Sequence, residues 1–379
     1  MENITFIGLG KLGLPISLLF EKAGYNVLGV DINEDYVSKL NSKTFQCNEP
    51  SVNELLKNSN KFKATTNLEI AVKQSNYIFI LVNSSVDLDS YYNMDIISNL
   101  LTKINKLSDC NKNIIISSTL QIGYINKIGN FLLHNDKFNH TLSYFPEFVR
   151  IGKVVEDMLA CKMPFIFGSE HDHVISFLRT LINNIVNIDS LEVKFKLPNI
   201  HEMSPESAEI AKFASNSFKT IKITYANMIG DICDKSYNCD KFKVMKSLNS
   251  DVNIQNGCFI PGYGYGGPCF PRDNLEFGNY INSIGVNTCI LEATENYNKY
   301  HAIFQAHQLA EENKHEYVFT NVCYRKDCPV AHIEACQELK VASILSNLGK
   351  NVTIEDNENV LNLVKNKYGK IFNYKLLNE

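Results

Sequence analysis

Cys269 lies in Pro261-Gly-Tyr-Gly-Tyr-Gly-Gly-Pro-Cys269-Phe-Pro-Arg-Asp273, where four of the six residues 262–267 are glycine. Glycine accepts backbone angles closed to other residues, so the cluster marks a tight turn or a close approach to a ligand. A cysteine held there is a candidate nucleophile, provided that basic groups and dipoles favour its thiolate. Lys212 and Asn216, in Ser207-Ala-Glu-Ile-Ala-Lys212-Phe-Ala-Ser-Asn216, are four residues apart. On a helix they share one face, from which an ammonium and an amide can point at one oxygen. Near the N-terminus, Gly8-Leu-Gly10-Lys-Leu-Gly13 offers a third kind of chemistry, the cradling of phosphates.

The glycine motif is specific because of what surrounds it. An apolar strand from Ile4 runs into it, an amphipathic helix follows, and a second strand, Asn26-Val-Leu-Gly-Val-Asp31, ends in an acid. In that order Gly8 allows the tight turn, Gly10 the approach of a pyrophosphate, and Gly13 the close packing of helix on strand. Asp31 is then placed to accept hydrogen bonds from a ribose diol, which favours NAD over NADP.

Bulk properties describe an expected soluble enzyme. A chain of 379 residues exceeds one simple core and suggests two or three domains. A net charge of -4 gives no electrostatic case for nucleic acid or an anionic membrane. No apolar run reaches about 18 residues, and no basic-then-apolar leader precedes the glycine motif. The 11 cysteines are scattered without C-x-x-C pairs, which reads as reduced cytoplasmic thiols, with neither disulfides nor a metal site expected.

The elements that must position these residues alternate as strand and helix through about residue 190. The segments at 77–82, 114–119 and 165–168 read as buried parallel strands. A long helix over 207–233 follows, then the cysteine loop and more helix to about 307. A last α/β unit has strands at 317–323 and 351–356 and a helix near 335–348. The fold class is therefore α/β: a Rossmann-like doubly wound domain over 1–195, a central helical region over 196–307 carrying the cysteine loop, and a short α/β domain over 308–379.

Five motifs in order carry a resemblance: the N-terminal glycines, Ser117-Ser-Thr119, Pro146-Glu-Phe-Val-Arg150, the Lys212/Asn216 helix, and Gly264-Tyr-Gly-Gly-Pro-Cys-Phe-Pro-Arg-Asp273. From Ile4 to about Asp356 the chain resembles the UDP-glucose/GDP-mannose dehydrogenase family. The resemblance implies oxidation of a sugar C6 hydroxyl to a carboxylate with two NAD+ consumed, a nucleotide sugar as substrate, and a homodimer. It also implies that the last domain, which stops short of the family's usual length, binds the UDP-sugar.

Chemistry gives these residues roles. An aldehyde intermediate loses hydride readily only after a nucleophile has added, and Cys269 adding gives a thiohemiacetal and then a thioester. Lys212 would stabilise the oxyanions, with Asn216 as a second donor. Asp273 would orient Lys212 or a water, or else N-cap the helix that begins at Asn274. Resemblance implies that Glu147 transfers protons in thioester hydrolysis. Thr119, at a strand's carboxyl end, would hold the hydrolytic water or touch the nicotinamide. By resemblance, Lys11, Leu12, Asn83, Ser84 and Arg272 join the NAD contacts. Phe148, Val149, Phe259, Tyr263, Gly266 and Arg325, with Lys326 as its neighbour, join the substrate contacts.

Several positions depart from the family's pattern. Asn83-Ser-Ser85 replaces a Thr-Pro step, Arg272 replaces a lysine, and Ile333-Glu334-Ala335 replaces Arg-Glu-Ser. UDP-glucose is the favoured substrate and GDP-mannose or a UDP-N-acetylhexosamine the next. A hydroxyacid or 6-phosphogluconate-like dehydrogenase is disfavoured by the glycine-embedded cysteine. A non-catalytic relative remains the reading that the departures at Asn83 and Ile333 support.

Overall fold

The computed structural model describes residues 2–84, 92–187, 197–254, 257–325 and 328–377. The chain divides into two compact units, 1–212 and 213–379, and the boundary falls inside the long helix Pro205–Lys235.

The first unit is built on a sheet of eight strands: β1 (Asn3–Ile7), β2 (Asn26–Val30), β3 (Phe62–Thr65), β4 (Tyr77–Ile80), β5 (Asn113–Ile116), β6 (Thr141–Tyr144), β7 (Phe165–Gly168) and β8 (Ile200–Met203). Their order is β3-β2-β1-β4-β5-β6-β7-β8. The first six pair in parallel, so β1 and β4 flank the switch point at which the strand order reverses. Continuous apolar strands suit this arrangement, because helices cover both faces. Phe6 and Phe79 stack 5.9 Å apart beneath the edge of Phe20, a residue of the first helix Gly13–Lys22, inside one large core.

Contrary to expectation, β7 does not run parallel to its neighbour. It pairs antiparallel with β6 and parallel with β8. The only helix between β6 and β7, Val154–Leu159, has six residues and rises about 9 Å, too little for a full crossover. The chain therefore re-enters the sheet from the end at which it left.

The second unit contains the helices Lys241–Asn249, Phe270–Ser283 and Cys289–Glu311. Strands β9 (Tyr317–Thr320), β10 (Val352–Asp356) and β11 (Asn373–Leu376) form a parallel sheet with β10 in the centre. The helices Gln337–Asn347 and Glu358–Tyr368 supply Leu339, Leu345, Leu361 and Val364 to its core.

Candidate active site

In the first unit the candidate residues gather at the carboxyl ends of the central strands. Gly8 follows β1 with φ +95°, and a side chain there would lie 2.3 Å from the Leu81 carbonyl oxygen. A side chain at Gly13 would meet the Gly8 carbonyl at 1.9 Å, whereas Gly10 faces open space. Two glycines thus close the turn and the middle one leaves room above it. The helix Gly13–Lys22 has no side-chain cap and no acid in its first turn, so the positive end of its dipole suits an anion. Lys11 is exposed and Leu12 half-buried beside them.

Asp31, at the end of β2, is half-buried and accepts from the Leu9 amide at 3.3 Å and the Asn33 amide at 3.1 Å. After β4, Asn83 is exposed, but the buried Ser84 hydroxyl donates to the Thr119 carbonyl at 3.0 Å. Ser118 ties the same loops by bonding both polar backbone atoms of Val82. Ser85 lies outside the described residues. Open space at Gly10, an uncapped helix and a carboxylate at the end of β2 fit a dinucleotide.

The segment after β6 carries Glu147. Burial pushes its carboxyl up to about 8, opposed by the nearby Lys212 ammonium. Lys212 is itself buried, as its neighbours Ala211, Phe213 and Ala214 allow. Its Nζ donates to the Glu147 backbone carbonyl at 2.5 Å and lies 4.7 Å from the centre of the Phe148 ring. Val149 packs on the core, and Arg150 is paired with the buried Asp157 at 2.5 Å. One residue here escaped the sequence reading. Glu209 is fully buried, accepts from the amides of Gly123 at 2.5 Å and Ile125 at 3.2 Å, and is pushed up to about 7 by burial. An acid inside the apolar face of Ser207-Ala-Glu-Ile-Ala was its only trace in the sequence.

In the second unit Cys269 is exposed and occupies the N-cap position of helix 270–283. Asp273 was expected as a possible cap for a helix starting at Asn274. Instead the helix starts at Phe270, because Pro271 is tolerated in a first turn that needs no N–H from it. Asp273 is buried inside that turn and accepts from the Asn216 side chain at 2.5 Å. Lys219 reaches the other end of the same amide at 3.4 Å. The next residue after Asp273, Asn274, bonds Thr220 and the Tyr265 hydroxyl, which donates to Glu295 at 2.6 Å.

The glycines of the loop make room for the protein itself. A side chain at Gly264 would meet Asn298 Oδ1 at 2.3 Å, one at Gly266 the Ala335 carbonyl at 1.9 Å, and one at Gly267 the Tyr324 ring at 2.6 Å. Gly267 also has φ +83°, which favours glycine. Arg272 donates to the Pro268 carbonyl and lies 3.9 Å from Glu334. Phe259 belongs to a small core with Ala226 and Met245, while Tyr263 remains 39% exposed with its phenol pushed up to about 12, chiefly by burial. Arg325 is half-buried, and Lys326 lies outside the described residues.

Residues 2–186 match the NAD binding domain of the UDP-glucose/GDP-mannose dehydrogenase family, and residues 206–300 match that family's central domain. The chain belongs to this family. It is 30% identical over 304 residues to the UDP-glucose 6-dehydrogenase of Rickettsia typhi, covering 78% of this chain and 67% of that one. With the Rickettsia conorii UDP-glucose 6-dehydrogenase the identity is 31%, over 78% of this chain and 66% of the relative. The chain thus spans about two thirds of the length of these relatives.

Among solved structures, a UDP-glucose dehydrogenase from Pyrobaculum islandicum superposes with a TM-score of 0.86 at 23% identity, over 99% of this chain and 86% of that one. A UDP-D-ManNAc dehydrogenase from Pyrococcus horikoshii gives 0.77 at 21% identity, over 93% and 83%. These two likenesses speak for the fold. As a UDP-glucose/GDP-mannose dehydrogenase family member the protein uses NAD and is an oxidoreductase of nucleotide sugars. The substitution at Ile333 has a visible destination in this family member: its side chain is buried in the core around β9 and β10.

Proposed function

We propose that the protein oxidises the C6 hydroxyl of UDP-glucose to the carboxylate of UDP-glucuronate, acting as a cytoplasmic homodimer. The observation that carries this reading is Cys269 at the N-terminus of helix 270–283, one turn ahead of the buried Asp273–Asn216 pair. Free N–H groups at that end favour an anionic sulfur or oxygen nearby. UDP-glucose is preferred because the relatives at 30% and 31% identity act, by name, on that sugar. The functional division follows the lines 1–195 for NAD, 196–307 for catalysis and 308–379 for the UDP-sugar.

NAD+, when bound, would supply the hydride acceptor for each of two oxidations, giving two NADH per sugar. Lys212 stabilises the C6 alkoxide during the first oxidation, with Asn216 as a second donor. The Cys269 sulfur then adds to the aldehyde carbon, and the carbonyl electron pair moves to oxygen. Loss of hydride from this thiohemiacetal restores the C=O bond and leaves a thioester. Water adds to the thioester carbon, and the C–S bond breaks to return the thiolate. Glu147, with a carboxyl pushed up to about 8, is suited to take the water's proton and pass it on near neutral pH. Thr119 holds that water or the nicotinamide. Asp31 binds the ribose, and Lys11, Leu12, Asn83, Ser84 and Arg272 complete the NAD contacts. Phe148, Val149, Phe259, Tyr263, Gly266 and Arg325 contact the sugar nucleotide.

The test is to mix the protein with NAD+ and UDP-glucose and count NADH per sugar consumed. Two supports the reading. One indicates an alcohol dehydrogenase that stops at the aldehyde. None with UDP-glucose, GDP-mannose or a UDP-N-acetylhexosamine overturns it.

A further inference from the structure

We propose that His301 is a positioning residue that fixes the root of the cysteine loop by donating from both ring nitrogens. His301 stands on helix 289–311 with 3% of its surface exposed. Its Nδ1 is 2.8 Å from Asp231 Oδ2 and 3.0 Å from Oδ1. Its Nε2 is 2.7 Å from the carbonyl oxygen of Gly262. A carboxylate and a carbonyl bring no hydrogen to these contacts, and a neutral imidazole has a single N–H. Both contacts are hydrogen bonds only when both nitrogens carry hydrogen, and the resulting cation is then matched by the buried Asp231.

The surrounding groups complete that arrangement. Tyr297 donates to Asp231 Oδ2 at 2.9 Å, and burial, then Asp231, holds its phenol in the protonated form. Asp234 is engaged by Lys241 at 2.7 Å. Glu312 and Gln308 line the same small cavity.

The clamp acts on the loop's backbone. Gly262 has both polar atoms fixed: its N–H donates to Asn227 Oδ1 at 2.8 Å, and its carbonyl also accepts from Gln305 at 2.9 Å. Asn227 donates to the Tyr263 carbonyl at 3.2 Å. Asn298, one turn before His301, accepts from the Tyr265 N–H at 2.9 Å and donates to its carbonyl at 3.0 Å. Asn298, His301 and Gln305 therefore form a helical stripe that grips the loop from Gly262 to Tyr265. Cys269 is four residues further on, so displacement at this root moves the thiol, and small misplacements of a reacting group cost rate steeply. Only this last consequence rests on the proposed function.

The experiment compares wild type with His301→Ala, Asp231→Asn and His301→Gln. Hydrogen exchange of peptides covering 258–268 is read beside peptides from β9 and β10, and nitrogen-15 NMR reads the His301 ring. The expected result is two ring N–H signals in wild type. Exchange in the loop should rise about fivefold or more in His301→Ala, with β9 and β10 unchanged, whereas Asp231→Asn, whose amide can donate to Nδ1, should leave a single ring N–H signal and hold the loop within about twofold. His301→Gln, which can still donate to Gly262, should stay within about twofold. One bare ring nitrogen in wild type, or loop exchange unaltered in His301→Ala, overturns the proposal. Exchange rising equally in loop and sheet also overturns it, since that reports a general structural role. Turnover reads separately: a loop that responds as expected in a protein that never oxidises UDP-glucose leaves the clamp standing and removes the proposed function.

Discussion

The ammonium of Lys212 rests 2.5 Å from the backbone carbonyl of Glu147, and the same ammonium opposes the upward push that burial exerts on the Glu147 carboxyl. One cation thus supports both the conformation and the ionisation of the segment after β6.

Lys212→Ala is expected to lower kcat by about 10²–10³, the typical loss when a group stabilising a developing oxyanion is removed. Lys212→Arg should recover little, because a planar guanidinium does not fit where a compact ammonium sits over the Phe148 ring. Steady-state rates with UDP-glucose check both, and wild-type turnover by the alanine variant would remove Lys212 from the chemistry.

The Glu147 carboxyl has its ordinary value of 4.5 raised to about 8. The folded state therefore holds a proton that the unfolded chain has released, and stability falls as pH rises through that window. Glu147→Gln should flatten this slope, so that its melting temperature approaches or exceeds wild type at pH above about 8 while thioester hydrolysis slows. Identical pH–melting curves for the two proteins would mean the carboxyl titrates normally.

Cys269→Ala should abolish formation of UDP-glucuronate and of the second NADH while leaving binding of NAD+ and UDP-glucose within about threefold of wild type. Cys269→Ser can still add to the aldehyde, but its ester hydrolyses more slowly. Mass spectrometry of the denatured serine variant should show the whole sugar nucleotide attached at residue 269.

With its carboxylate beside the Leu9 and Asn33 amides, Asp31 would repel a 2′-phosphate. NAD+ should be preferred over NADP+ by about 10²-fold or more in kcat/KM. Asp31→Ala should narrow that ratio mainly by weakening NAD+. Equal use of both cofactors by the wild type would take Asp31 off the ribose.

Phe218, Tyr225 and Ile232 are seven residues apart on helix 205–235 and are 62%, 48% and 53% exposed. Such a heptad stripe suits a second copy of the chain across a two-fold axis. Sedimentation should give twice the mass of the 43.0 kDa chain, and Phe218→Glu with Ile232→Glu should return it to the monomer.

Legibility in the sequence followed the range of the cause. The glycines at 8 and 13 were readable because turn and packing act over a few residues. The direction of β7 was not, since Phe165-Ile-Phe reads alike both ways and only the length of the preceding helix decides it. The start of helix 270–283 was misplaced because Pro271, a breaker elsewhere, is welcome in a first turn. Glu209 and the His301–Asp231 pair were invisible for a different reason: their partners lie 84–86 and 70 residues away. No local pattern encodes such distances.

Gly264 has no special backbone angle, yet a methyl group there would strike Asn298 at 2.3 Å. The two positions therefore share one volume, and their substitutions should be epistatic. Gly264→Ala alone should disrupt the loop, while Gly264→Ala combined with Asn298→Ser should be less harmful than the sum of the two. Across descendants of this chain, a larger residue at 264 should be found only in company with a smaller one at 298.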